Sequence, residues 1–152
     1  MEGEIDIMYF VDREKIDEQL CYYQELIRQF ENQDNWNTFI EKVALERITH
    51  MMIEVILDVG NSMIDGFIMR DPGSYDDIVD ILTDEKVITL EIAQDMKELI
   101  LWRKQLVHHY TDIKHQELAA AFTEKMHSIK SFIPSVKEYL THELGPVSAF
   151  RK

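Results

Sequence analysis

Cysteine occurs once in this chain, at Cys21, so no intramolecular disulfide can form and a reducing, cytoplasmic setting is expected. A lone cysteine with no histidine near it in sequence is expected to be a small buried apolar residue, not a nucleophile. Five glycines and three prolines in 152 residues are too few for an all-β fold with its many tight turns. No stretch approaches the roughly 18 consecutive apolar residues of a membrane span. The opening segment "MEGEIDIMYFVDREKI" is acidic and lacks the basic region of a secretory signal. Gly-rich phosphate loops are missing as well. Positive charge is scarce: the net charge of -13 argues against a broad nucleic-acid surface.

What the chain does have is helical periodicity. Ile16, Leu20, Tyr23, Ile27 and Phe30 alternate spacings of four and three, which predicts a helix over about 12–31 capped by Asp12. A long second helix is predicted over about 36–69, with Ile40, Ala44, Ile48, Met52, Val55, Val59 and Met63 as its apolar stripe. Gly60 and Gly66 in its later half either weaken it or admit a closely packed neighbour. Pro72-Gly73 marks a break, and Ser74 with Asp77 three residues on reads as a helix start. Thr83 reads as a second start of the same kind, and Thr89 as the cap of a helix over about 89–107, with Ile92, Met96, Leu99 and Leu106 inward. A last helix over about 115–143, with Asp112 as a candidate cap, carries Leu118, Phe122, Met126, Ile129, Ile133, Val136 and Leu140 and is kinked at Pro134. The chain is therefore expected to be all-α, an antiparallel four- to five-helix bundle. Residues 9–145 form the expected domain, 1–8 an N-terminal extension (Met8 being a second candidate start) and 146–152 a tail.

Helical bundles often hold metals, so carboxylates and histidines come next. A di-iron centre needs two Glu-x-x-His motifs on separate helices, and only Glu124/His127 fits. Glu46, His50 and Glu54 share one helix face at i, i+4, i+8, a spacing that suits ligands or a solvated charged face equally. No metal and no cofactor is expected.

Charge is uneven along the chain. Residues 1–58 balance to -9 and 59–96 to -7, but 97–152 to +3. Within that last part, "LWRKQLVHHYTDIKH" (101–115) gathers three of the six histidines with Arg103, Lys104 and Tyr110. Arg103 and His108 are five apart, on poorly matched faces of an unbroken helix, and a bend at "VHHYTD" is needed to join them. One fixed cation, one base that titrates near neutrality and one phenol are parts for phosphodiester chemistry. Histidine can take a proton from a ribose 2′-hydroxyl, and arginine's planar donors suit a phosphate whose charge grows in the transition state. On spacing alone, the same residues also suit an ordinary interhelix turn.

"RKQLVHHY" resembles the R-x4-H-x-Y motif of the HepT-like proteins of the HEPN superfamily, small all-α toxin halves of toxin–antitoxin pairs. "ALERITHMMIEVILDVGNSMI" resembles that family's long helix, "DPGSYDDIVDILTDEKVIT" its proline-bearing break and short helix, and "YTDIKHQEL" the start of its final helix. Together these cover about 9–145. The resemblance implies a homodimeric, metal-independent endoribonuclease in which Arg103 and His108 are catalytic and Lys104 and Tyr110 bind. It implies a minimal nucleotidyltransferase antitoxin as partner, which in some pairs attaches AMP to the motif tyrosine, here Tyr110. RNA is the implied substrate; neither DNA nor membrane is. Lys104 departs from the asparagine or small polar residue common after the arginine, and the alternative it raises is a non-catalytic nucleotide- or protein-binding domain.

Overall fold

The computed structural model describes residues 11–145, so the expected extension at 1–8 and tail at 146–152 lie outside the described residues. These residues are all-α: α1 (Arg13–Asn32), α2 (Phe39–Gly66), α3 (Tyr75–Asp84), α4 (Leu90–Ile100), α5 (Trp102–His108), α6 (His115–Glu124) and α7 (Met126–Leu144). One residue separates α4 from α5 and one separates α6 from α7, so the chain forms five rods. α2 is the central rod, packed against α1, α3, α5 and α6, while α7 packs against α1 and α4. No described helix is long and apolar enough to cross a membrane.

α1 starts where Asp12 accepts from the Lys15 N–H, at 3.1 Å. Its predicted stripe is buried throughout. Cys21, by contrast, is exposed: it sits on the solvent side of α1, correcting the expectation of a buried apolar residue. Deeper in, the Tyr23 hydroxyl donates to the Ile129 carbonyl at 2.8 Å, tying α1 to α7, and burial drives its pKa up.

α2 begins three residues later than expected. A reciprocal cap sets the start: Thr38 accepts from the Glu41 N–H, and the Glu41 carboxylate accepts from the Thr38 N–H. The first turns of the predicted stripe are also displaced. Leu45 and Thr49 face the core, Ala44 and Ile48 are half-buried, and Ile40 is 80 % exposed. Thr49 is accommodated there because its hydroxyl donates to the Leu45 carbonyl at 2.8 Å. From Met52 onward the stripe is inward as expected. Gly60 lets α3 approach: a Cβ there would stand 2.6 Å from Ile78 Cγ2.

Ser74 caps α3 by accepting from Asp77, whose carboxylate in turn accepts from the Gly73 N–H and from Arg70. Thr83 starts nothing; it lies inside α3 and donates to Val79. Thr89 caps α4 as expected, but the expected single helix over 89–107 is interrupted at Leu101. Leu101 keeps helical dihedrals (φ −57°, ψ −31°), so α5 continues nearly in line with α4. The expected last helix is interrupted at Lys125 (φ −99°, ψ 10°), and α7 runs on through Pro134. Lys114, not Asp112, occupies the cap position of α6, and Asp112 instead accepts from the Lys114 ammonium.

Candidate active site

The seven residues of α5 carry the motif. Leu106 pins the segment to the core, and Trp102 packs against it while lining a cavity of about 340 Å³ with Leu101, Gln105, Ala121 and Lys125. Arg103 points towards α2. Its Nε donates to Glu54 Oε2 at 2.7 Å, and its guanidinium carbon lies 4.8 Å from the centre of the Tyr75 ring at the start of α3. The two side chains of the ion pair are 25 % and 24 % exposed, so the pair is neither sealed from solvent nor freely screened. The Glu54 hydrogen bond and charge hold the guanidinium firmly in its cationic form, against a partial cost of burial. Neither Nη has a protein hydrogen-bond partner among the described residues.

Around this pair the face of α2 forms a ladder. Glu46, His50, Glu54 and Asp58 follow one another at intervals of four. Glu46 Oε2 meets His115 Nε2 of α6 at 2.7 Å. His50 Nε2, buried and without a hydrogen bond, lies 3.6 Å from Glu54 Oε2, beyond hydrogen-bonding reach. The Asp58 pKa is raised, by burial first and by the Glu54 charge second, while Lys15 and Arg103 pull it the other way. So the Glu46/His50/Glu54 set is neither a plain solvated face nor a ligand cluster. It is a seam of carboxylates that meets Arg103 of α5 and His115 of α6. Among the described residues no group of three or more His, Cys, Asp or Glu is placed to hold a metal ion.

His108 is the last residue of α5 and is exposed, as are Lys104, His109 and Tyr110. Within one chain the bend does not join His108 to Arg103. The helix is unbroken between them, which turns them about 140° apart around its axis. The bend follows at His109, whose carbonyl accepts from Asp112 at 3.2 Å. Leu101, Gln105 and His108 share the outward face, and Tyr110, 65 % exposed, stands in the turn beyond. Sequence reading named these residues but missed Glu54 and Tyr75 as partners of Arg103. The i, i+4, i+8 spacing had marked Glu54; nothing local marked Tyr75.

Comparison with known proteins adds four findings. Residues 16–136 match the family described as "Ribonuclease HepT-like". A protein of Bacillus subtilis (strain 168) named "Putative RNase YutE" is 49 % identical over 144 residues, covering 95 % of this chain and all of its own length. A solved structure of Bacillus subtilis YutE, described as a cytosolic protein of unknown function, superposes with a TM-score of 0.91 over 94 % of this chain and 100 % of its own. A second structure, described as a toxin–antitoxin with AMP-PNP, shares 14 % identity and a TM-score of 0.71 over 80 % of this chain and 96 % of its own; that likeness is one of fold alone.

Proposed function

The chain belongs to the HepT-like ribonuclease family, and from that premise we propose that it is a metal-independent endoribonuclease, the toxin half of a toxin–antitoxin pair. One observation carries the reading: the motif helix presents a clamped arginine with both Nη groups unpartnered among the described residues and, at its open end, an exposed histidine. The RNA's own 2′-hydroxyl is the nucleophile. As the 2′-oxygen bonds to phosphorus the P–O5′ bond breaks: His108 takes the 2′ proton, the His108 of a second copy gives one to the leaving 5′-oxygen, and Arg103 stabilises the charge that grows on the phosphate oxygens. Lys104, exposed one residue after the arginine, adds a point charge for the RNA backbone.

The active form is a homodimer. Arg103 and His108 diverge around one helix, so a cleft lined by the motif segments of two copies supplies both groups to one phosphodiester. Exposed Leu101 on the outward face gives such a contact an apolar centre. The partner is a minimal nucleotidyltransferase antitoxin that attaches AMP to Tyr110, whose phenol is well exposed and without a hydrogen bond among the described residues.

The test is incubation of purified protein with synthetic RNA and the matching DNA in EDTA. RNA is cleaved and DNA, which lacks the 2′-hydroxyl, is left intact. Cleavage that needs added metal contradicts the reading. Binding of RNA without cleavage favours the alternative, a non-catalytic nucleotide- or protein-binding domain, which the lysine at position 104 supports.

A further inference from the structure

We propose that Glu54 is a positioning residue for Arg103, one that orients the guanidinium for phosphate while keeping its unaided attraction for RNA in check. The inference rests on the ribonuclease reading above. Its starting point is the geometry of a planar fork. A guanidinium held only by its flexible stem can roll and swing. Here its Nε edge is fixed by Glu54 Oε2 at 2.7 Å, and its guanidinium carbon lies over the Tyr75 ring, 4.8 Å from the ring centre. These two contacts, from different helices, restrict both roll and swing, and the Nη edge is left without a protein partner among the described residues, which is the edge that makes bidentate contact with phosphate oxygens. A monodentate grip on Nε orients the arginine without occupying the donors it needs.

The charges around the pair support a second role. Glu54 sits between His50 and Asp58 on α2, and the Asp58 pKa is raised by burial first and by Glu54 second. The Glu54 carboxylate, 2.7 Å from Arg103 Nε, cancels part of the field of Arg103 where a phosphate would bind. Removing it should strengthen ground-state attraction for RNA and, at the same time, release the plane of the guanidinium. The two effects act on different kinetic constants: KM reports the first and kcat the second.

The experiment compares wild type with Glu54→Gln, which keeps the volume, and Glu54→Ala, each alone and with Arg103→Ala. Helical content and thermal midpoint serve as folding controls. Cleavage of a fluorogenic RNA is followed, and the Arg103 Nε–H resonance is identified by its loss in Arg103→Lys. In wild type that proton should be protected from exchange, and in Glu54→Ala the protection should disappear. With Glu54→Ala, kcat should fall on the order of 10- to 100-fold, as for a reacting group displaced by about 1 Å, while KM stays level or drops. Glu54→Gln should show a milder form of the same split. In the Arg103→Ala background either change should cost nothing more. A raised KM with unchanged kcat, or a further loss of activity on top of Arg103→Ala, overturns the proposal. An unprotected Nε–H in wild type overturns it too, whatever the activity. A protected Nε–H in a wild type that cleaves no RNA overturns instead the ribonuclease reading on which it rests.

Discussion

The two ends of α5 differ in how their functional groups are held. At its start, Arg103 is gripped by Glu54 and Tyr75 from two other helices. At its end, the side chains of His108, His109 and Tyr110 stand in solvent without side-chain hydrogen bonds among the described residues. The contrast fits the role proposed for each group. A cation that stabilises a developing charge acts through fixed distance and orientation, so it belongs on the rigid frame. A base that must reach a hydroxyl, and a phenol that must reach a second protein, need access more than anchorage. In a chain this acidic, the held end also tempers the attraction of the one basic region for nucleic acid.

Substitution at the two ends should separate activity from stability. His108→Ala should abolish RNA cleavage and Arg103→Ala should cut it to a small residual rate, the largest effects expected. Only Arg103→Ala should also lower stability, by about 1–2 kcal/mol, because it leaves Glu54 without its charged donor. A His108→Ala variant that melts earlier than wild type would mean that the open end is held after all. Denaturation melts with a cleavage assay on the same samples make the comparison.

The frame that aims Arg103 can be loosened at a distance. Gly60→Ala gains about 1 kcal/mol of helix propensity but drives a methyl into Ile78, 2.6 Å away, at a cost of about 1–3 kcal/mol, so net destabilisation is expected in urea melts. Tyr23→Phe removes the bond to the Ile129 carbonyl and should cost about 1 kcal/mol at neutral pH. The difference shrinks in alkali. The folded-state pKa of Tyr23 is raised, so wild-type stability should fall as pH rises above the unfolded value of about 10, and the phenylalanine variant should lack that contribution. Comparing the two proteins at pH 7 and pH 10.5 in the same urea series checks this.

The smallest effects belong to the exposed turn. Tyr110→Phe should keep the fold and block transfer of AMP to the turn. His109→Ala should leave both cleavage and stability close to wild type. Intact-mass measurement after incubation with the antitoxin and ATP checks the first; AMP still found on Tyr110→Phe would place the acceptor elsewhere.

Local signals carried much of the fold. The stripe of α1, the caps at Asp12, Ser74 and Thr89, and the close approach at Gly60 all rest on residues a few positions apart, where spacing and side-chain chemistry decide. The start of α2 was misjudged for a different reason. Ile40, Ala44 and Ile48 read as an inward stripe, yet tertiary packing turns Leu45 and Thr49 inward instead. Thr38 with Glu41 was a readable capping box that the apolar pattern overshadowed. The breaks at Leu101 and Lys125 carry no glycine or proline, and the apolar pattern runs across both, so nothing in the sequence announces them. Pro134 lies inside a continuous helix, where the sequence pattern places it. At the site, the residue types of the motif were legible from their chemistry and their resemblance to a family. The partners of Arg103 were not, since Glu54 and Tyr75 lie 49 and 28 positions away in sequence and meet it only through the packing of α2 and α3.

The most direct test of the account is chemical analysis of the ends left on cleaved RNA, with EDTA present throughout. Attack by the 2′-hydroxyl leaves a 5′-hydroxyl on one fragment and a 2′,3′-cyclic phosphate, or the 2′- or 3′-phosphate derived from it, on the other; the account predicts these ends. Fragments ending in 5′-phosphate and 3′-hydroxyl, or no cleavage until metal is restored, would contradict it, because they require a water nucleophile that neither Arg103 nor His108 was assigned to activate.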